Sequence, residues 1–293
     1  MFLALLPVPV SLQQVEESSM KRSSAFYLSL AFTLLVCAFL VIPVVMSMTA
    51  GVTVNYFTGI KSGLTFRWIT EVWALYSQTI FLSLGLSIAC LAVDLALGIP
   101  LAYVLAKKSG RIARIIEEFL VLPIAIPGLA IALALIITYG GFRDFRSSWV
   151  FILVGHVLYT LPFMVRSVLA VLSSIDFRTL EEGAASLGAG FWQRFFTVIL
   201  PNIRSGILAG SLMVITLSIG EFNLTWMLHT PITKTLPVGL ADAYASMRLE
   251  VGSAYTLIFF MMILPLLIAI QAYGNPKPKK RINTSKNNSG GKT

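Results

Sequence analysis

Residues 173–205, SSIDFRTLEEGAASLGAGFWQRFFTVILPNIRS, separate two long apolar runs of this 293-residue chain, at about 148–172 and 206–228. Each run is close to the roughly 20 apolar residues that a helix needs to cross the hydrocarbon core of a bilayer. The segment between the runs carries acidic and basic side chains, which are costly in lipid and suit water. This alternation of apolar runs with a charged connection predicts a helical membrane protein.

The composition of the whole chain supports the same class. Hydrophobic residues make up 57% of the chain and charged residues 12%, and the mean hydropathy is +0.84. Soluble domains carry about 25% charged residues, so this chain has too little polar surface for a globule in water. The net charge of +9 could indicate nucleic-acid binding, but the basic residues lie between apolar runs and form no stripe, so we interpret them as topology signals. Cys37 and Cys90 both lie in apolar runs, which excludes a disulfide framework and a multi-cysteine metal site.

Six apolar stretches are long enough to cross a membrane, and we predict an all-α, polytopic membrane protein built on them. The third stretch contains Pro123, Pro127 and Gly128. Such residues are tolerated in membrane helices, so they predict a kink and not a loop. The six stretches are about 25–50, 78–106, 117–139, 148–172, 206–228 and 253–273.

The distribution of Lys and Arg predicts the orientation. With both termini on one side, that side receives 15 of the 22 basic residues and the other side six, while Arg166 lies inside the fourth span. Basic loops stay in the cytoplasm, so both termini are expected there. The first span is longer than the apolar part of a signal peptide, so we expect it to be retained. A cytoplasmic extension (1–24) would precede the six-helix domain (25–274), and a basic, disordered tail (275–293) would follow it.

The charged segment 173–205 predicts a short helix that ends in a glycine turn. Asp176 is suited to cap this helix, because its carboxylate accepts hydrogen bonds from free amides at a positive helix end. Leu180, Ala184 and Leu187 recur at helical spacing and give one apolar face. Gly188 follows at the position where a left-handed residue commonly ends a helix.

A second short helix is predicted after this turn. It would present Phe191, Phe195 and Val198 on one side, and Pro201 would stand at the start of the next helix, where no amide hydrogen is needed. The segment therefore reads as helix, glycine turn, helix, with aromatic side chains on one face. One interpretation is an interfacial helix that only anchors to lipid headgroups.

The spacing of the segment resembles the EAA loop of type I permeases in ATP-binding-cassette (ABC) importers. That pattern is Glu-Ala-Ala, three residues, Gly, nine residues, Ile, one residue, Leu-Pro. Gly183 departs from it by replacing the first alanine, and Val198 by replacing isoleucine, whereas six spans, cytoplasmic termini and the place of the loop agree over about residues 60–272. The resemblance implies that the loop, at 173–205, docks on a separate ATPase. The residues implied in this coupling are Glu182, Gly183, Ala184, Leu187, Gly188, Phe191, Val198, Leu200 and Pro201.

Further stretches resemble particular branches of these permeases. LPIAIPG at 122–128 and Gly155-His156 resemble subunits for polyamines, and GEF at 220–222 with TLP at 235–237 resembles the sulfate, molybdate and phosphonate branch. From this resemblance a polyamine is the first expected solute, followed by phosphonate, sulfate or iron. The implied partners are a cytoplasmic ABC ATPase dimer, a second permease (the same or a related chain) and an extracytoplasmic solute-binding protein.

No catalytic residue, metal site or cofactor is predicted in this chain. The terminal GKT at 291–293 imitates the end of a phosphate-binding loop, but Lys286 stands at the position of the first glycine and no helix can follow. ATP and Mg²⁺ would therefore be bound by the ATPase, and the chain is not expected to be an enzyme. An intramembrane enzyme, and a receptor or scaffold whose loop binds another partner, are the competing interpretations.

Three ionisable residues inside the spans are candidates for the translocation path: Asp94, His156 and Glu221. The alternative is that the two acids tie helices together by hydrogen bonds, with His156 as one acceptor or donor. Small and polar side chains accompany them on faces that should turn toward the bundle, and Gly206 with Gly210 forms a small-xxx-small packing pair. These faces consist of Ser83, Ser87, Cys90, Asp94 and Gly98 on the second span, and Ser211, Ser218, Glu221 and Thr225 on the fifth.

Overall fold

The computed structural model describes residues 24–108 and 110–274, and this part of the chain is helical, with one isolated antiparallel bridge between Thr53 and Leu64. The predicted extension and tail lie outside the described residues, apart from Ser24. In chain order the helices are α1 (Ser24–Ala50), α2 (Arg67–Lys107), α3 (Arg111–Ala125), α4 (Gly128–Tyr139), α5 (Arg143–Ser147), α6 (Trp149–Ser174), α7 (Phe177–Ser186), α8 (Phe191–Asn202), α9 (Arg204–Gly220), α10 (Asn223–Leu228), α11 (Leu236–Ala245) and α12 (Leu249–Gly274), with a 3-10 turn at Gly59–Ser62.

Four of these helices, α1, α2, α6 and α12, are long and apolar enough to cross a membrane. They correspond to the first, second, fourth and sixth predicted spans, although α2 already begins at Arg67. The count reaches six when each of two bent helix pairs is taken as one span. We call the end of the bundle that carries residues 173–205 the loop end, and the other end the opposite end.

The third predicted span is not a kinked helix, and this prediction was wrong. The axes of α3 and α4 differ by 103°, with a break between Ala125 and Gly128. Proline forces the residue before it out of the helical region, and Ile126 accordingly has ψ of 131°. Pro127 also has no amide hydrogen to continue the helix. The apolar stretch is therefore divided into two helices that run in different directions.

The fifth predicted span is also broken. α9 ends at Gly220, Glu221 is extended with ψ of 117°, and α10 follows as a separate short helix. At its other end, α9 meets α8 at 71°. Helices α4 and α10 pack on each other, with Leu135, Leu224 and Leu228 in one buried cluster, so that the two broken spans meet at their breaks.

The centre of the bundle is formed by α2, α6 and α9, which pack closely because small residues lie where the helices cross. A Cβ on Gly206 would lie 2.7 Å from the carbonyl oxygen of Ser167, and one on Gly210 would lie 2.7 Å from the sulfur of Met164. Gly98 on α2 faces the same Met164. The predicted packing pair of Gly206 and Gly210 is thus confirmed, as close backbone approach in membrane bundles requires.

Helix α1 lies at the edge of this bundle. It packs on α12, and its side chains from residue 26 to residue 43 are all exposed. A helix that is apolar on every side and exposed on most of them suits contact with lipid. α1 therefore adds a lipid-facing element and takes no part in the central packing.

Candidate functional site

The first helix of the loop, α7, is closed at both ends by the residues that the sequence indicated. Asp176 accepts hydrogen bonds from the Thr179 hydroxyl at 2.7 Å and the Thr179 amide at 3.3 Å, and these donors hold the pKa of Asp176 below its usual range. At the other end Gly188 has φ of 83°. Its amide donates to the Ala185 carbonyl and the next amide donates to the Ala184 carbonyl, which together form a Schellman motif. Both predicted ends of the helix are confirmed.

The second helix of the loop, α8, contains a π-helical segment at Phe195–Ile199. In a regular α-helix the ring of Pro201 would collide with the carbonyl four residues earlier, and the wider π turn lies directly before it. Pro201 belongs to the short α-helical turn Leu200–Asn202 that follows without a break. The proline thus stands in the first turn of an α-helical segment, but the long helix α9 begins only at Arg204, after the 71° bend.

A buried carboxylate joins the loop to the end of α2. Glu181 on α7 is only 4% exposed, and its two carboxylate oxygens accept hydrogen bonds from the Tyr103 hydroxyl at 2.9 Å. The Lys107 ammonium donates to the same carboxylate at 2.8 Å, and the Arg194 guanidinium lies at 3.5 Å. Burial alone would raise the pKa of Glu181, but these hydrogen bonds and positive charges outweigh burial and hold the pKa below its usual range.

The ring of Tyr103 is the packing centre of this junction. Its centroid lies 5.6 Å from that of Phe195 and 6.3 Å from those of Phe177 and Phe191. Tyr103 therefore contacts both helices of the loop, and its hydroxyl lies between the Lys107 ammonium and the Glu181 carboxylate. We call Tyr103, Lys107, Glu181 and Arg194 the anchor cluster.

Several apolar and aromatic side chains of the loop are exposed. Leu187 is 90% exposed and Trp192 is 67% exposed. Trp192 and Phe196 stack with their ring centroids 6.0 Å apart, and Phe191 stacks on Phe195 at 6.2 Å. We call Leu187, Phe191, Trp192 and Phe196 the loop face. Contiguous exposed apolar surface of this kind marks a site of interaction.

The other sequence-predicted loop residues surround this face. Glu182, Gly183 and Gly188 are exposed, and no atom lies within 4 Å of where a Cβ would stand on either glycine. Ala184, Val198 and Leu200 are half-buried, and Pro201 is exposed.

The anchor cluster is the part of the site that sequence reasoning missed, since it favoured Glu182 over Glu181. Neighbouring residues on a helix point about 100° apart, so one glutamate faces the bundle and the other faces outward. A signal was present in the spacing: Glu181 follows the buried Phe177 by four residues and therefore shares its face. The partners Tyr103 and Lys107, at the end of a distant span, carried no such signal.

The polar residues inside the bundle form contacts between helices. Asp94 is fully buried, and its Oδ2 accepts a hydrogen bond from the Thr160 hydroxyl at 2.6 Å. The Cys90 sulfur lies 3.1 Å from the same hydroxyl oxygen. These contacts tie α2 to α6.

His156 bridges three helices and is 1% exposed. Its Nδ1 lies 2.9 Å from the Ser218 hydroxyl on α9, and its Nε2 lies 2.8 Å from the Thr225 hydroxyl on α10. Neither Asp94 nor Glu221 contacts the imidazole; Glu221 accepts a hydrogen bond from the Leu224 amide at 2.6 Å and so caps α10.

These positions separate the three path candidates. Asp94 and His156 are enclosed by the chain itself, and their side chains contact side chains of neighbouring helices. Glu221 is half-buried at the break between α9 and α10, and its Oε1 lies 3.5 Å from where a Cβ on Gly128 would stand. Of the three, Glu221 alone remains accessible, at the point where both broken spans meet. The described residues contain no group of three or more His, Cys, Asp or Glu that could hold a metal ion.

A family model described as "Binding-protein-dependent transport system inner membrane component" matches residues 98–279, from the last quarter of α2 onward. The Molybdenum transport system permease protein ModB of Escherichia coli (strain K12) is 29% identical over 192 residues, which covers 60% of this chain and 83% of that protein. The Sulfate transport system permease protein CysW of Synechocystis sp. is 27% identical over 207 residues, or 66% of this chain and 75% of that protein.

Two solved structures share the fold. A chain of a bacterial ABC transporter involved in the import of alginate superposes with a TM-score of 0.66 and 17% identity, covering 89% of this chain and 98% of that chain. A chain of the MetNI methionine ABC transporter gives a TM-score of 0.56 and 16% identity, covering 70% and 94%. The predicted fold class, an all-α polytopic type I permease, is therefore confirmed. Because the family model spans well over half of the chain, the protein belongs to the inner membrane components of binding-protein-dependent transport systems and is a permease subunit of an ABC importer.

Proposed function

We propose that this permease passes an inorganic oxyanion of the molybdate or sulfate class through the membrane, driven by a separate ATPase that binds residues 173–205. The solute class is supported by relatives that are named for molybdenum and sulfate transport. Polyamines carry the opposite charge, and these relatives give a polyamine solute no support, so the oxyanion replaces it as the expected cargo.

The observation that carries the coupling role is the loop face. Leu187 and Trp192 lie outside the apolar spans and yet are largely exposed, which favours a protein partner over water. Glu182 on α7 is also exposed and can pair with a basic residue of that partner. An ATPase that closes on ATP would displace this rigid helix pair, and its own residues would bind ATP and Mg²⁺.

The anchor cluster supports the transmission of such a displacement. Glu181 ties α7 to the end of α2 through Tyr103 and Lys107, and Arg178 donates to the carbonyl of Ala106 on α2 at 3.2 Å. The loop is also continuous with α6 and α9, which pack on α2 in the centre of the bundle. A force on the loop face is therefore delivered to the three central helices together.

The remaining partners follow from the same arrangement. The loop end is proposed to face the cytoplasm, with both termini on that side, as 15 basic residues against six favour. A second permease, a copy or a relative, would complete the path, because Asp94 and His156, two of the three ionisable path candidates, are enclosed within this chain. A solute-binding protein would dock at the opposite end.

The test is purification of the assembled complex from native membranes, followed by assays of ATPase activity and ATP-driven uptake of molybdate and sulfate in proteoliposomes. Trp192→Asp and Leu187→Asp should each release the ATPase and abolish uptake, because a charge is placed in the centre of the contact. The matched control is Ile232→Asp, which changes an equally exposed residue (78%) at the opposite end and should leave the ATPase bound.

Retention of the ATPase by both loop-face variants would exclude the coupling role of the loop face. A stable complex without any ATPase would instead favour a receptor or scaffold. Uptake of a cation, with no uptake of either oxyanion, would refute the solute class and leave the coupling role intact.

A further inference from the structure

A polar cleft lies at the loop end of the bundle, beside residues 173–205 but apart from the anchor cluster. It is formed between the end of α2, the first half of α3 and the last turns of α6, and its volume is about 460 Å³. That volume accommodates an ion together with several water molecules. Residues that line it include Leu105, Arg114, Glu117, Arg166, Leu169 and Ser173.

Two arginines from different helices line this cleft. Arg114 on α3 and Arg166 on α6 are both exposed, and the guanidinium of neither forms an ion pair or hydrogen bond with any residue in 24–108 or 110–274. Glu117 is the acidic side chain in the lining, so these three groups sum to one positive charge. The cleft therefore attracts anions and repels cations.

The positive charge of Arg166 lies in an apolar part of the chain. It lies within α6, a helix that qualifies as a membrane span, two turns before the end of that helix at Ser174. A charged side chain in such a helix turns to water or to an opposite charge, because exposure to lipid is costly. Two like charges facing one cavity also repel each other, and a bound anion would relieve both costs.

We propose that this cleft binds the translocated oxyanion at the loop end of its path, with Arg114 and Arg166 as the two ligands that determine specificity. The proposal rests on the proposed function, since it assigns a binding site to the oxyanion cargo. The fork of N–H donors on a guanidinium matches the oxygen pairs of sulfate or molybdate. Glu117 limits the net charge, which suits an exit site, because a transported ion must leave as readily as it binds.

The test uses the assembled permease–ATPase complex in phosphatidylcholine nanodiscs without the solute-binding protein, and measures the binding of radiolabelled sulfate and molybdate by equilibrium dialysis. Arg114→Gln and Arg166→Gln should each weaken binding about tenfold, the loss expected for a hydrogen bond to a charged group. Arg166→Lys keeps the charge and should recover only part of the affinity, because the fork is lost. Arg111→Gln is the matched control, since it removes an exposed charge one turn earlier on α3 that does not line the cleft, and binding should stay within about twofold.

Unchanged sulfate binding in both Arg114→Gln and Arg166→Gln would overturn the proposal, as would an equal loss in Arg111→Gln, which would indicate a diffuse charge effect. A lipid headgroup as the ligand would also overturn the proposal. In that case sulfate binding would be lost when the discs contain phosphatidylglycerol, and Arg166→Gln would release bound lipid from the complex. If Arg166→Gln fails to assemble, Arg114→Gln alone decides, since this residue is exposed on α3.

These outcomes are separate from those that test the proposed function. Sulfate binding that does not depend on the two arginines, in a complex that still transports sulfate, would exclude the cleft and leave the proposed function standing. Sulfate binding that depends on the two arginines, in a complex whose uptake does not require the loop face, would support the cleft and exclude the coupling role of the loop face.

Discussion

Removal of the Tyr103 hydroxyl is the sharpest perturbation of the anchor cluster. Tyr103→Phe leaves the ring in contact with Phe177, Phe191 and Phe195, and deletes the hydroxyl that donates to the Glu181 carboxylate and accepts from the Lys107 ammonium. The side-chain packing of the junction is therefore retained, and the change in free energy reports the polar contact.

The magnitude follows from what remains around the carboxylate. A hydrogen bond to a charged group contributes about 1.5–3 kcal/mol. The Lys107 ammonium stays at 2.8 Å from the Glu181 carboxylate and the Arg194 guanidinium at 3.5 Å. These positive charges still stabilise the buried carboxylate in the variant. We therefore expect the lower part of the range, about 1.5–2 kcal/mol, for local opening of the loop.

Hydrogen–deuterium exchange of the detergent-solubilised complex measures this opening directly. Amides within residues 177–202 should exchange about ten- to thirtyfold faster in Tyr103→Phe, while amides of α6 and α12 keep their rates. Tyr139→Phe serves as the control, because this exposed tyrosine at the opposite end forms a ring contact with Phe145 and its hydroxyl has no hydrogen-bond partner among the described residues. Unchanged exchange in 177–202, or equal acceleration in Tyr139→Phe, would show that the hydroxyl does not hold the loop.

Three further outcomes are expected. Gly183→Ala should stabilise α7 by about 0.5–1 kcal/mol in local exchange, because the position is helical and open, whereas Gly188→Ala should destabilise its end by about 1–2 kcal/mol because φ is 83°. Gly206→Val should lower the melting temperature of the complex strongly, because the new Cβ would lie 2.7 Å from a backbone oxygen. The control Gly85→Val should change the melting temperature little, because nothing lies within 4 Å of a Cβ at that position. A similar loss in both variants would argue against close packing at Gly206. The pKa of Glu181 is lowered in the folded state, so the stability that its carboxylate contributes is present above the unfolded pKa of about 4.3 and is lost as the pH falls below it. The difference in melting temperature between wild type and Glu181→Gln should therefore be constant from about pH 6 to pH 8 and shrink below about pH 4. A difference that grows as the pH falls would contradict this sign.

The features that the sequence alone determined are those governed by short-range rules. Apolar length and the scarcity of charge predicted a polytopic helical membrane protein. Asp176 and Gly188 predicted both ends of α7, because capping and a left-handed turn depend on a few adjacent residues. The spacing from Glu182 to Pro201 was enough to indicate the family.

The tertiary structure decided the features that depend on contacts between residues far apart in the chain. Glu181 and Glu182 are the same residue type with nearly the same neighbours in sequence. Glu181 is nevertheless buried, because the end of α2 brings Tyr103 and Lys107 to it, while Glu182 remains exposed. The sequence proposed Asp94 and His156 as path candidates, but only the structure gives their hydrogen-bond partners on neighbouring helices. Pro127 accounts for a break in the third span, but the direction that α4 takes after the 103° bend, packed on α10, involves residues far away in the chain and could not be read from the segment itself.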